Sequence, residues 1–262
     1  MNIFVCIKQV PSTNKVQVDE KTGVLKRDGV SSKMNPYDLY ALETALRLRE
    51  AVGGKVVVGT MGPPQAQAVV REAYMMGADE GYVFSDRRLG GADVLATSYT
   101  LSQAIQSVGD FDLILCGKQT TDGDTAQVGA EVAEYLDIPN VSNVLSIQDY
   151  TNDKLRLTAS LDERIVDMTV SLPCLISVDG DINTPRLPSY KIRKTLTDDS
   201  VRFLTFADFG DQDPDHYGLS GSATQVERIF PPEKVSQKVQ IEGDADAQAQ
   251  ALFALLDRKK ML

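Results

Sequence analysis

Residues 112–136, DLILCGKQTTDGDTAQVGAEVAEYL, decide the fold. Asp112 to Cys116 is a short apolar run that reads as a buried strand. A polar loop bearing Gly117, Gly123 and Gly129 follows at once, and helical periodicity then runs from Asp124 to Leu136. Asp124 suits an N-cap and Gln127, three residues on, suits the return half of a capping box. Asp122-Gly123 suits a tight turn into that helix. A strand that feeds a helix through such a loop is half of a parallel βαβ unit.

The same grammar repeats toward the N-terminus. Ile3 to Ile7 reads as a strand, and Asp38 to Ala51 places Leu39, Leu42, Ala45, Leu46 and Arg49 along one helical side. Lys55 to Gly59 is a second strand, and Pro64 to Met76 a helix closed by Gly77. Gly81 to Phe84 and the helix Asp93 to Val108 follow. Strands alternating with helices predict an α/β fold, a parallel twisted sheet with helices on both faces.

Beyond residue 140 the pattern changes. Lys154 to Leu157 and Ile165 to Leu172 alternate polar and apolar residues, with a turn near Asp162 to Arg164, and predict a small antiparallel strand addition. Pro173 to Val178 reads as one more buried strand. From about residue 184 the chain is polar, irregular and punctuated by Pro185, Pro188, Pro214, Pro231 and Pro232. Its one strong helical pattern is Ala245 to Lys259. We therefore expect an α/β domain over residues 1–185 and an extended C-terminal arm over 186–262 that ends in a helix. Leu252, Phe253, Leu255 and Leu256 need a surface to bury against, which favours an arm laid over a partner subunit over a disordered tail.

Composition excludes several function classes. The formal charge of −10 leaves no basic face for a nucleic-acid backbone, although Lys191, Arg193 and Lys194 form a local basic patch. No apolar run reaches the length of a membrane span, and the start MNIFVCIKQV has no secretory pattern, so a cytoplasmic location is expected. Cys6, Cys116 and Cys174 lack metal-ligand spacing and read as small buried residues. The single histidine, His216, has no Cys or His companion nearby, which leaves a zinc site or a His-based dyad without support. Neither a G-x-S-x-G nor an H-E-x-x-H motif is present, so no side chain is expected to be catalytic and none to bind metal. Any chemistry would belong to a bound cofactor.

Ligands of parallel α/β sheets sit beyond the carboxyl ends of the strands, where four loops of this chain gather. The first ends at Asn35-Pro36-Tyr37-Asp38, with Asn35 as N-cap and Pro36 in the first helical position. The second is Thr60-Met61-Gly62-Pro63-Pro64, where Gly62 permits close approach of a ligand. The third carries Gly90 and Gly91 ahead of a helix that Asp93 caps. The fourth is Gly117 to Gly129, whose amides from Gly123 to Val128 point outward as an anion site, with the acidic side chains occupied by capping or by ribose hydroxyls. It is neither the Rossmann glycine pattern nor a P-loop. Capping alone explains the first loop, the second is weak evidence by itself, a plain surface turn explains the third at least as well, and helix capping is the alternative at the fourth.

Taken together, these stretches resemble the electron-transfer flavoprotein β family. The resemblance rests on Val5-Cys6-Ile7-Lys8-Gln9-Val10-Pro11, Asp28-Gly29-Val30, Met34-Asn35-Pro36-Tyr37-Asp38, Met61-Gly62-Pro63-Pro64, Met76-Gly77-Ala78-Asp79 and Leu115-Cys116-Gly117-Lys118-Gln119 with Asp122 to Gly129. It implies a small subunit with an adenine-nucleotide-binding type of fold, paired in a heterodimer with an α subunit that carries FAD. Carried over by motif, the nucleotide contacts would be Cys6, Asn35, Pro36, Tyr37, Met61, Gly62, Asp122, Gly123, Asp124, Thr125, Ala126, Gln127, Val128, Gly129, Thr224 and Gln225.

Ser85-Asp86, Gly90-Gly91-Ala92-Asp93, Ala96-Thr97-Ser98, Gly221 to Val226 and Phe230-Pro231-Pro232 look like the electron-bifurcating branch. That branch implies FAD in this site, NADH held at Gly90, Gly91, Ala92, Asp93 and Thr97, and electrons divided between ferredoxin and the large-subunit FAD that serves a flavin dehydrogenase of acyl-CoA type. The alternatives are a non-bifurcating carrier with AMP in the site and a non-redox adenine-nucleotide-binding protein. Two stretches depart from the family. The turn before Pro173 reads Asp162-Glu163-Arg164 in place of an acidic turn with glycine, and Pro185 to Lys194 is shorter than the loop that docks a dehydrogenase.

Overall fold

The computed structural model describes residues 1–12, 17–18, 25–26, 32–151, 153–162, 164–227 and 240–261. Asp28-Gly29-Val30, Glu163 and Phe230-Pro231-Pro232 lie outside the described residues. The chain opens with β1 (Asn2–Cys6), followed by the short pieces β2 (Gln9–Pro11), β3 (Gln17–Val18), β4 (Leu25–Lys26) and β5 (Ser32–Met34). Next come α1 (Pro36–Val52), β6 (Lys55–Met61), α2 (Gln67–Met76), β7 (Glu80–Phe84), α3 (Val94–Val108), β8 (Leu113–Gly117) and α4 (Val128–Tyr135). The remainder is β9 (Asn140–Tyr150), β10 (Lys154–Leu161), β11 (Arg164–Ser171), β12 (Cys174–Val178), α5 (Tyr190–Arg193), β13 (Arg202–Leu204) and α6 (Ala245–Arg258).

One nine-stranded sheet carries the domain, in the order β11-β10-β9-β12-β8-β1-β6-β7-β13. From β9 to β13 every neighbouring pair is parallel, while β9, β10 and β11 form the antiparallel addition. The alternation of side chains along each strand divides the core in two. Ile3 and Val5 face the layer of α1 and α2, with Leu42, Leu46, Val70 and Ala73. Phe4 faces the layer of α3 and α4, with Leu101, Ile105 and Val132. The expected helices on both faces are therefore present. Gly77 closes α2 at φ 121°, a left-handed-side value suited to glycine.

Two strands of this sheet were not expected, nor were the short pieces β2 to β5 outside it. β9 hides because Asn143 adopts φ 56° and the register slips beside it, so Val141, Val144 and Ile147 follow no period of two. β13 comes from the stretch expected to be irregular. It extends the sheet beyond β7, and behind it Phe206, Phe209 and Tyr217 are buried in the α3–α4 layer. Tyr217 is 1% exposed, stacks on Phe209, meets Phe206 edge-on and donates its hydroxyl to the Asp211 carbonyl at 2.8 Å. Residues 201–217 thus strap onto the body. Tyr217→Phe, which leaves that carbonyl without its donor, is expected to lower unfolding stability by about 1 kcal/mol in urea denaturation.

The predicted C-terminal helix forms as α6, where Leu252 and Phe253 remain 49% and 64% exposed. The stretch Pro185 to Lys194 is pinned by Arg186, which donates to Glu43 at 2.8 Å and to Glu50 at 2.6 Å, and it leaves Leu187 89% exposed.

Candidate functional site

A cleft of about 450 Å³ opens beyond the carboxyl ends of β1, β6 and β8. Its size is that of a site for a small ligand. Cys6, Met61, Cys116 and Leu175 contribute to its floor. On one side lies Gly117 to Gly129, and on the other Gly91, Ala92, Asp93, Val94 and Thr97. The glycine loops that were far apart in sequence are thus opposing walls of one cavity.

The first wall is built differently from the expected capping box. Helix α4 begins only at Val128, with Gln127 at its N-cap position and no side-chain cap. Asp124 and Ala126 adopt φ 51° and 57°, which interrupts the helical path that the periodicity suggested. Nor are the acidic side chains used in capping. Asp122 accepts from the Lys8 ammonium at 2.8 and 2.9 Å, and Asp124 accepts from the Gln119 amide at 3.1 Å. Burial would raise the Asp122 carboxyl, but the Lys8 charge outweighs it and holds the group below its usual range. The Asp122-Gly123 turn does form, closed by the Asp124 N–H on the Thr120 carbonyl at 2.9 Å. Among the described residues, no acceptor receives the backbone N–H of any residue from Thr125 to Ala130. These are the free donors of a helix start, extended by two left-handed residues into a concave run of amides.

Asn35 and Asp38 brace this loop from beneath. Asn35 is fully buried and does not cap α1 through its side chain. Its amide donates to Asp38 Oδ1 at 2.8 Å and to the Gln119 carbonyl at 2.9 Å, while its Oδ1 accepts the Thr121 N–H at 3.2 Å. Asp38, 4% exposed and lining the cleft, accepts the Lys8 N–H at 2.7 Å and a second backbone bond from Gly117. Burial pushes this carboxyl up to about 7 against the downward pull of Asn35, Lys8 and Gly117. Close packing fixes the joint, since a Cβ on Gly117 would sit 2.6 Å from both Asp38 Oδ1 and the Tyr37 backbone. Cys6 and Cys116 lie side by side at the ends of β1 and β8. Burial, and then the Asp38 charge, pushes the Cys6 thiol up to about 12, and Cys116 is also raised well above the usual thiol range. Both are weak nucleophiles here.

On the second wall Asp93 caps α3 as expected, accepting the Ala96 N–H at 3.1 Å, and Gly91 turns at φ 78°. Of the residues singled out from sequence, the cleft is lined by Cys6, Met61, Gly123, Thr125, Ala126, Gln127, Val128, Gly129, Gly91, Ala92, Asp93 and Thr97. Asn35, Pro36, Tyr37, Gly62, Gly90, Asp122, Asp124, Thr224 and Gln225 are not in its lining. Asn35 and Asp122 instead support the wall, Pro36 opens α1, and Thr224 bonds to Asp93. Lys8, Asp38, Lys118, Gln119 and Thr120 also line the cleft. The signal for Lys8 and Lys118 was their position directly after strands. Lys118 is held on Asp179 at 2.9 Å. His216 finds a partner that its sequence neighbourhood did not advertise, since Asp211 Oδ2 lies 2.6 Å from its Nδ1. No group able to hold a metal ion occurs among the described residues.

The electron transfer flavoprotein domain model matches residues 22–200. The electron transfer flavoprotein subunit beta of Thermoanaerobacterium thermosaccharolyticum is 47% identical over 227 residues, covering 86% of each chain. The caffeyl-CoA reductase-Etf complex subunit CarD of Acetobacterium woodii is 43% identical over 233 residues, covering 88% of each. Protein FixA of Sinorhizobium fredii is 40% identical over 259 residues, covering 92% of this chain and 87% of that one.

Proposed function

The chain belongs to the electron transfer flavoprotein family as a β-type small subunit, and on that premise we propose that its cleft holds the adenine dinucleotide FAD. The observation that carries this reading is the run of unpaired amides from Thr125 to Ala130, of which Thr125 to Gly129 line the cleft. Such a run suits a pyrophosphate, because donors and helix dipole act together on the anion. Gly123 and Gly129 keep this wall slim, Lys8 and Lys118 add cations at its edge, and Met61, Val128 and Leu175 offer an apolar bed.

One feature favours FAD over AMP. The cleft continues past the amide run to Gly91, Ala92, Asp93 and Thr97, a second wall that a mononucleotide has no need of. That wall is also where NADH would lie, by Gly90 to Asp93 and Thr97. Bound here, FAD would supply the redox chemistry, taking an electron pair from NADH and passing one electron to ferredoxin and the other to the large subunit's flavin. The protein's own part is to bind, orient and screen. Burial keeps the thiols of Cys6 and Cys116 protonated at neutral pH.

The partners follow from the same reading. The nucleotide-binding body expected over residues 1–185 also takes in the strap of residues 201–217, so the arm begins beyond the strap, and its helix α6 would seat Leu252 and Phe253 on the α subunit. A 43% identical relative belongs by name to a complex with caffeyl-CoA reductase, which supports a flavin dehydrogenase as the final acceptor. The reading places the complex in the cytoplasm, and no helix among the described residues is long and apolar enough to cross a membrane.

The test is to purify the chain with its large subunit and count the nucleotides released on denaturation. Equal amounts of this chain and the α subunit with twice as much FAD are expected. One FAD and one AMP per heterodimer would overturn the dinucleotide assignment and make the protein a plain electron carrier.

A further inference from the structure

The segment that leaves the strap for the C-terminal arm is tied to the cleft at one place. Thr224 donates both its N–H and its hydroxyl to Asp93 Oδ2, at 2.8 and 2.9 Å. The Asp93 N–H donates to Ser222 Oγ at 2.9 Å, and the Leu219 N–H donates to the Gly90 carbonyl at 3.1 Å. Asp93 meanwhile caps α3 through Oδ1 and lines the cleft. Its second carboxylate oxygen is therefore engaged by the strap. The fit is close as well as bonded, since Gly218 turns at φ 55° and a Cβ there would stand 2.0 Å from the Arg88 carbonyl.

We propose that Asp93 is a positioning residue: by clasping Thr224 it fixes the glycine wall of the cleft to the root of the C-terminal arm, so that nucleotide affinity depends on where the arm is held. This rests on the nucleotide reading of the cleft. The start of the wall is held by buried Leu89 and by Gly90, whose N–H bonds to the Arg87 carbonyl at 3.2 Å and whose carbonyl receives Leu219, while Gly91 and Ala92 bring no large side chain, which leaves Asp93 to fix the wall's far end. Without the clasp, Gly90 to Asp93 becomes an open glycine turn and the cleft loses its defined width. With the clasp closed, a displacement of the arm at residue 224 moves Asp93, the cap of α3 and the wall together. By linkage, nucleotide in the cleft favours the arm position that keeps the clasp closed, and a partner that grips the arm tunes the cleft. Thr224 thereby acts on the nucleotide through Asp93 and not by touching it.

The experiment compares the full wild-type chain, Ser222→Ala/Thr224→Val, and Thr224→Ser, which keeps the hydroxyl. Each is titrated with FAD, and amide hydrogen exchange is followed over Gly90 to Thr97. The double variant is expected to exchange faster in that stretch and to bind FAD about tenfold more weakly, with Thr224→Ser at wild-type values in both. Gly218→Ala keeps every bonding group but drives the strap off sterically, and should shift both readouts in the same sense. Unchanged exchange over Gly90 to Thr97 in the double variant overturns the clasp, whatever the FAD result. Faster exchange with unchanged FAD affinity overturns the coupling. A wild-type chain that takes up no FAD overturns the nucleotide reading, and the exchange rates still decide the clasp.

Discussion

Gly129→Val is expected to weaken FAD binding by about a hundredfold, a loss of roughly 3 kcal/mol. Gly129 sits in the first turn of α4, pressed against the floor. A Cβ there would lie 2.6 Å from Cys116 Sγ and 3.4 Å from Leu175 Cδ2. The floor cannot yield, because Cys116 lies within β8, which runs between β1 and β12, and Leu175 is fully buried. The start of α4 must therefore rise, carrying with it the amides from Thr125 to Ala130. Hydrogen bonds to a charged group contribute about 1.5–3 kcal/mol each, so misdirecting one or two of them accounts for the loss.

Ala130→Val is the matched control. Ala130 is the next residue of the same turn, but it is exposed, so its new methyl groups enter solvent. The change carries a helix-propensity cost of about half a kcal/mol, which Gly129→Val does not, and it leaves the amides in place, so the control is biased against the expected difference. Calorimetric titration of both variants with FAD should leave Ala130→Val within about twofold of wild type. Equal affinities for the two variants would refute the amide run as the phosphate site.

The expected helix caps show where local reading stops. Asn35-Pro36 looked like a capped helix start, and Pro36 does open α1. The Asn35 side chain, however, bonds to Gln119 and Thr121, more than eighty residues away. No local pattern announces such a bond, because it exists only once β1 and β8 are neighbours. Asp122 and Asp124 are a similar case. Local rules assign an Asp three residues before a Gln to a capping box, but Lys8 and Gln119 claim both carboxylates first. The parallel sheet was legible because buried strands on both sides of β1 are continuous apolar runs. The strap of residues 201–217 was not, since Phe206, Phe209 and Tyr217 are spread among acidic residues with no common period. Gly91, Gly123 and Gly129 were legible as close-approach positions. That they face one another across a cleft required the fold.

Asp38→Asn is expected to flatten the pH dependence of stability between about pH 4 and pH 7. In the folded protein burial raises this carboxyl from 3.8 to about 7. A carboxyl raised on folding contributes stability that is fully present below its unfolded value and is lost as pH rises through the folded value. A shift of about three units corresponds to on the order of 4 kcal/mol, a large part of the 5–15 kcal/mol that holds a typical domain together. Urea unfolding of the wild type at pH 5 and pH 8 should therefore differ by about 2.5–3 kcal/mol, the part of the shift that lies above pH 5, while the variant should show little of that difference. The slope is the decisive quantity and not the absolute stability. The new amide would place N–H groups toward Lys8 N–H, Asn35 Nδ2 or Gly117 N–H, which are all donors, at a cost of about 1–3 kcal/mol at every pH. Ionised Asp38 lines the same cleft as the amide run, so its charge opposes a bound pyrophosphate. FAD affinity of the wild type is accordingly expected to fall between pH 6 and pH 8 and that of Asp38→Asn to stay level, a contrast that equilibrium dialysis at the two pH values measures directly. A variant that keeps the wild-type slope in both stability and affinity would assign the pH dependence to other groups.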